Sequence, residues 1–323
     1  MVGWMVALAG AALAGEDGVW VGGAGDVRAG VEGGTVRAES QVEGDFRLAR
    51  GPVYLRLDVD MVVNTSDGGL VRSWTPPEWA MVQVEPTAAF RLRGGVLNPQ
   101  IGYEDWDFWV NPLPTYSTMF VQGTPGRILG GEAEVSLGES TRLFAWGGGD
   151  LDWRGGWNTL DLGVGAWYAP AFGVGITTEQ DFFSTWSGAF ALPQDDFYAA
   201  VYSFELYPSE ALAVILDGSA GLSGGAPYAG GQVILDILPE ATFTPVLRAE
   251  GLLDRNDAAL GGWAAGVPDG TASVGLRVAP LDFLTVLAEA KATFTGEGTV
   301  PGAFLGVEVF RPEPSAYSVV VDD

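Results

Sequence analysis

The side chains able to do chemistry in this chain are carboxylates and guanidiniums, and they recur at every second position. Between Thr35 and Leu48, the residues Arg37, Glu39, Gln41, Glu43, Asp45 and Arg47 alternate with Val36, Ala38, Ser40, Val42, Gly44 and Phe46. Arg56, Asp58 and Asp60 alternate with Leu55, Leu57, Val59 and Met61. Glu132 and Glu134, Arg248 and Glu250, and Glu289 and Lys291 repeat the spacing, and Asp217 holds one such position by itself. In an extended strand, a spacing of two puts these groups on one face and the apolar residues on the other. Rows of ionised groups can hold or steer ions.

Most other chemistry is excluded. The 323 residues include no histidine and no cysteine, which removes Ser-His-Asp and Cys-His catalysis, thiolate chemistry and disulfides. Forty-one acidic residues against 16 basic give a net charge of −25, so nucleic acid is not an expected partner. Asp150 with Asp152 and Asp195 with Asp196 offer oxygen ligands for Ca²⁺ but match no EF-hand spacing. No cofactor and no metal site is expected.

The alternation runs through nearly the whole chain, and no segment carries an apolar stripe of helical period. The fold class expected is all-β. Links alternate between short turns such as Arg50-Gly51-Pro52, Glu85-Pro86, Gly138-Glu139-Ser140, Ala169-Pro170, Tyr207-Pro208-Ser209 and Ala279-Pro280 and longer stretches such as 64–77, 98–125 and 182–195. Counting from them gives sixteen strands, near 18–31, 35–48, 53–63, 79–85, 87–97, 126–138, 140–147, 158–169, 172–181, 196–207, 209–221, 228–238, 241–252, 270–279, 281–294 and 302–310. Most have about the 9–11 residues that cross a bilayer on a tilt. Short turns at one end and long loops at the other predict a transmembrane up-and-down antiparallel β-barrel with periplasmic turns and outer loops. Ionised residues on one face of almost every strand fit a barrel lumen better than two soluble sheets packed together. Trp79, Trp157, Tyr168, Phe172, Tyr198, Tyr207 and Tyr228 lie near strand ends, where membrane barrels carry aromatic girdles.

Residues 1–14 read as a signal peptide ending in Ala-Leu-Ala, 15–310 as the barrel, and 311–323 as a tail. Within that tail Ala316 to Val321 is an alternative closing strand. Trp20-Val-Gly-Gly-Ala-Gly-Asp26 resembles the opening strand of the OmpL-like β-barrel porins. Leu92-Arg-Gly-Gly-Val-Leu-Asn-Pro-Gln-Ile-Gly-Tyr-Glu104, followed by Asn111-Pro-Leu-Pro-Thr-Tyr-Ser117, is similar to a specific segment of that family, except that Gly-Val stands where a Lys-aromatic pair is usual. The resemblance implies a pore in the bacterial outer membrane.

Sixteen strands leave a water-filled lumen. Inward acids outnumber inward bases, so passive diffusion of ions and small hydrophilic solutes, with cations preferred, is the expected activity. Outer-membrane lipid and those solutes are the expected partners, with a homo-oligomer as an open question. The stretch 98–125 has two placements: outside, with its aromatics at the membrane interface, or folded inward. Folded inward, it would set Glu104, Asp105 and Asp107 against Arg91 and Arg93 at a constriction. The competing classes are a secreted acidic glycoside hydrolase of sandwich or propeller type, and a plugged, non-conducting barrel.

Overall fold

The computed structural model describes residues 18–66, 69–74, 79–99, 113–114, 127–150, 170–239, 241–254, 269–281 and 283–310. The strands are β1 (Gly18–Glu32), β2 (Thr35–Arg50), β3 (Val53–Ser66), β4 (Gly69–Trp74), β5 (Trp79–Thr87), β6 (Phe90–Leu97), β7 (Ile128–Ser136), β8 (Thr141–Asp150), β9 (Pro170–Gln180), β10 (Phe183–Leu192), β11 (Phe197–Ser209), β12 (Leu212–Ser223), β13 (Ala226–Ile237), β14 (Phe243–Asp254), β15 (Gly270–Leu281), β16 (Leu284–Thr295) and β17 (Gly298–Phe310). Apart from β4 and β5, consecutive strands pair antiparallel. β3 pairs with β4 through Met61–Ser66 and with β5 through Val53–Asp58, so β4 and β5 share one position in the wall. β1 pairs with β17 from Ala24–Phe310 to Glu32–Gly302 and closes the ring. The result is a closed antiparallel barrel of sixteen staves. Residues 1–14 and 311–323 lie outside the described residues.

A single closed ring overturns the sandwich and propeller alternatives. Two strand assignments also change. β8 hydrogen-bonds directly to β9, while 158–169, expected as a strand, lies outside the described residues, and 182–195 is not a long loop, because Phe183–Leu192 forms β10. The cause is chemical. The inward positions of β10 are Ser184, Trp186, Gly188, Phe190 and Leu192, so this strand has no ionised inward residue at all. Pro170 opens β9 rather than forming a turn with Ala169. β4 is a further short strand, inside a stretch expected to be loop.

The links at one end, from 51–52 through 282–283, are all short, and the three long links 98–127, 151–169 and 255–269 emerge at the other.

The two faces of the wall are inverted relative to a soluble protein. Asp26 and Arg28 are buried, while Val27 between them is 59% exposed; Glu308 is 2% exposed between Val307 and Val309 at 43% and 49%. β14 and β15 show the same pattern, with Arg248, Glu250, Ser273 and Arg277 buried and Leu247, Val274 and Leu276 exposed. An outward apolar surface is favourable only against hydrocarbon, and a closed ring leaves no backbone N–H or C=O unpaired there. Phe182, Phe243 and Phe283 stand exposed at the short-turn end, and Phe172, Tyr198 and Phe294 at the other, forming two aromatic girdles. Trp79, Tyr207 and Tyr228 do not belong to them. Tyr228 is buried on the inner wall, and Trp79 and Tyr207 pack against inner-wall clusters.

Candidate functional site

The inner wall carries the charged side chains, and strand register decides which of them meet. Arg91 and Arg93 on β6 stand directly opposite Glu134 and Glu132 on β7. Arg91 donates to Glu134 at 3.2 Å and to Glu85 at 2.7 Å; Arg93 pairs with Glu132 and donates to Gln83 at 2.8 Å. Arg28 pairs with Asp26 at 2.8 Å, Arg277 with Asp236 at 3.5 Å and Arg142 with Glu179 at 3.4 Å. Arg248 and Glu289 meet at 3.0 Å with side chains 1% and 0% exposed. Arg56 pairs with Asp58 and lies 4.7 Å from the centroid of the Trp79 ring. Asp217 accepts a hydrogen bond from Gln232 at 3.3 Å. Glu39 and Lys291 stand on the inner faces of β2 and β16. Arg37 and Asp60 are in β2 and β3, but their side chains lie outside the described residues, as do Glu104, Asp105 and Asp107 entirely. Arg91 and Arg93 are therefore neutralised by acids of their own wall.

The link between β6 and β7 brings Leu113 and Pro114 to the inner wall. Its residue Leu113 is 2% exposed and packs with Ala213 and Ile215 of β12, Ile234 of β13 and Val246 of β14. Arg28 Nη1 donates to the Pro114 carbonyl oxygen at 2.8 Å. A Cβ added at Gly275 would lie 2.2 Å from Leu113 Cδ2, so the bare Cα of that glycine makes the floor of the socket. β12 to β15 stand about half-way round the ring from β6 and β7. Leu113 thus sits against the wall across the ring from the strands that its link joins.

A second set of inward residues is aromatic. Trp146 and Phe190 rings lie 6.5 Å apart, Phe190 and Phe197 5.6 Å, Phe197 and Tyr228 5.6 Å, and Phe144 and Trp186 5.8 Å. Small residues on β9 make room: a Cβ at Gly173 would meet the Trp146 ring at 2.6 Å, and one at Gly175 the Phe144 ring at 2.3 Å. Glycines at two successive inward positions beside a strand with aromatics at two are the signal that could have marked this patch.

No protein-family model and no curated protein matches the chain. Solved structures do. A mutant of the Rh. blastica porin superposes with a TM-score of 0.60 at 10% identity, over 91% of this chain and 100% of that one. OprB of Pseudomonas putida gives 0.63 at 10% identity over 96% of both chains. The outer membrane channel DcaP of Acinetobacter baumannii gives 0.57 at 14%, over 91% and 97%. The fold is that of the outer-membrane porins. With a porin-type barrel, an outward apolar belt and two girdles, the chain is a transmembrane protein of the bacterial outer membrane.

Proposed function

We propose that the chain forms a channel for passive diffusion of ions and small hydrophilic solutes, with cations preferred. One observation carries this: the closed ring of sixteen staves presents its ionised face to the lumen, and a ring of this size is wide enough for water. Acids outnumber bases on the inward positions, so the potential along the passage attracts cations. The link 98–127, held on the far wall at Leu113, sets the narrowest section, and Glu104, Asp105 and Asp107 line it. The similarity of 92–117 to the OmpL-like porins supports the same reading. No catalytic step belongs to it. Replacing Glu104, Asp105 and Asp107 together by Asn should lower the cation-to-anion permeability ratio several-fold. An unchanged ratio removes them from the constriction.

A plugged barrel is the second reading, favoured by the deep burial of inward residues such as Asp58 and Phe197, both 0% exposed. Liposome swelling in small sugars separates the two: an open channel admits the sugar and the vesicles swell, whereas an inserted plugged barrel leaves them unchanged.

A further inference from the structure

β2 and β3 bring acids face to face. Asp45 stands directly opposite Asp58 in the register, and Glu43 opposite Asp60. One carboxylate oxygen each from Glu43, Asp45 and Asp58 lies within 4.8 Å of the others. Like charges placed directly opposite destabilise a sheet unless something offsets them.

The arginines nearby offset only part of that charge. Asp58 is fully buried; its Oδ2 is held by Arg56, but its Oδ1 is also buried and has no hydrogen-bond partner. Asp45 Oδ1 is likewise buried without a hydrogen bond, and Arg47 stays 3.9 Å from it, beyond hydrogen-bond reach. Directly opposite Asp45 and Glu43, β1 carries Gly22 and Ala24, neither of which has a side-chain donor. A Cβ at Gly22 would lie 3.2 Å from Asp45 Oδ2, so the glycine leaves space beside the carboxylate. A buried carboxylate oxygen left without a donor is costly, and a cation removes that cost.

We propose that Glu43, Asp45 and Asp58 bind a divalent cation on the inner wall, and that Ca²⁺ is the ion they fit. All the donors are carboxylate oxygens, the ligands of hard cations, with no nitrogen or sulfur to favour zinc. Calcium takes oxygens at about 2.3–2.6 Å in flexible geometry, whereas magnesium demands a near-ideal octahedron and keeps several of its waters, so a cluster of wall carboxylates suits calcium better. Charge agrees as well. Three carboxylates stand beside two guanidiniums, Arg47 and Arg56, so the cluster keeps a surplus of negative charge for a divalent ion to offset. The site does not depend on conduction, since a wall-bound ion fits an open or a plugged barrel equally.

The test is calorimetric titration of Ca²⁺ into the full chain, folded in detergent and stripped with EDTA, in potassium chloride. One saturable site per chain is expected, together with a higher temperature for loss of the folded band on unboiled gels. The double variant Asp45→Asn/Asp58→Asn should bind at least tenfold more weakly. Should that variant not fold, Glu43→Gln decides, and it too should lose most of the affinity. No binding by the wild type overturns the proposal. Undiminished binding in the variants also overturns it, because the ion would then sit on other acids. A barrel that gains stability on acidification and ignores Ca²⁺ overturns it too, because shared protons would then hold the carboxylates together.

Discussion

Leu113 rests on the bare Cα of Gly275, half-way round the ring from the strands that carry its own loop. The contact joins a segment that is irregular in sequence to a wall position where any side chain would intrude. It explains why Ala213, Ile215, Ile234 and Val246 form an apolar socket on a wall that carries charged side chains elsewhere.

Gly275→Val should expel Leu113, since the new Cβ falls 2.2 Å from Leu113 Cδ2. Leu113→Ala empties the same socket and should cost the tether about 2–4 kcal/mol. Both variants should keep the folded barrel, show larger single-channel conductance than the parent and resemble each other. Parental conductance in both would mean that the tether does not set the passage.

The Arg248–Glu289 pair is almost wholly buried, so removing either group takes a 3.0 Å ion pair from a charge shielded from water. Arg248→Met should destabilise the barrel by about 3–5 kcal/mol in urea unfolding, and Glu289→Leu by a similar amount. The double variant should recover most of that loss. Additive losses in the double variant would show that the two groups do not act as a pair.

Leu305 is 63% exposed at the middle of β17, on the face assigned to lipid. Leu305→Arg should reduce folding stability in vesicles by about 2–4 kcal/mol, while the same change near either girdle should cost at most about 1 kcal/mol. Equal costs at both depths would contradict the assigned membrane position.

Strand faces were legible where the inner face is ionised, and β10, where it is not, was missed. β2, β3, β14 and β16 alternate charge with hydrocarbon, and their faces read directly from spacing. β10 carries Ser, Trp, Gly, Phe and Leu inward, so alternation disappears and the strand looks like a loop. Proline misled in a smaller way. Glu85-Pro86, Tyr207-Pro208 and Ala279-Pro280 read as turns, yet each lies inside a strand at a register shift, with the turn just beyond. Proline cannot donate to the ladder, and a bulge leaves one residue unpaired, so the two go together. The pairing of Arg91 and Arg93 with their neighbours depends on register across β5, β6 and β7, which spacing within a single strand does not contain. The Leu113 socket depends on contacts between residues more than 90 positions apart.

The central claim is an open, acid-lined passage through the membrane. Its most direct test is single-channel recording of the detergent-purified chain in a planar bilayer under a potassium chloride gradient. Stepwise openings are predicted, with a reversal potential whose sign marks potassium as the more permeant ion. An inserted protein that stays silent would contradict the open passage, and a reversal potential of chloride sign would contradict the acidic lumen.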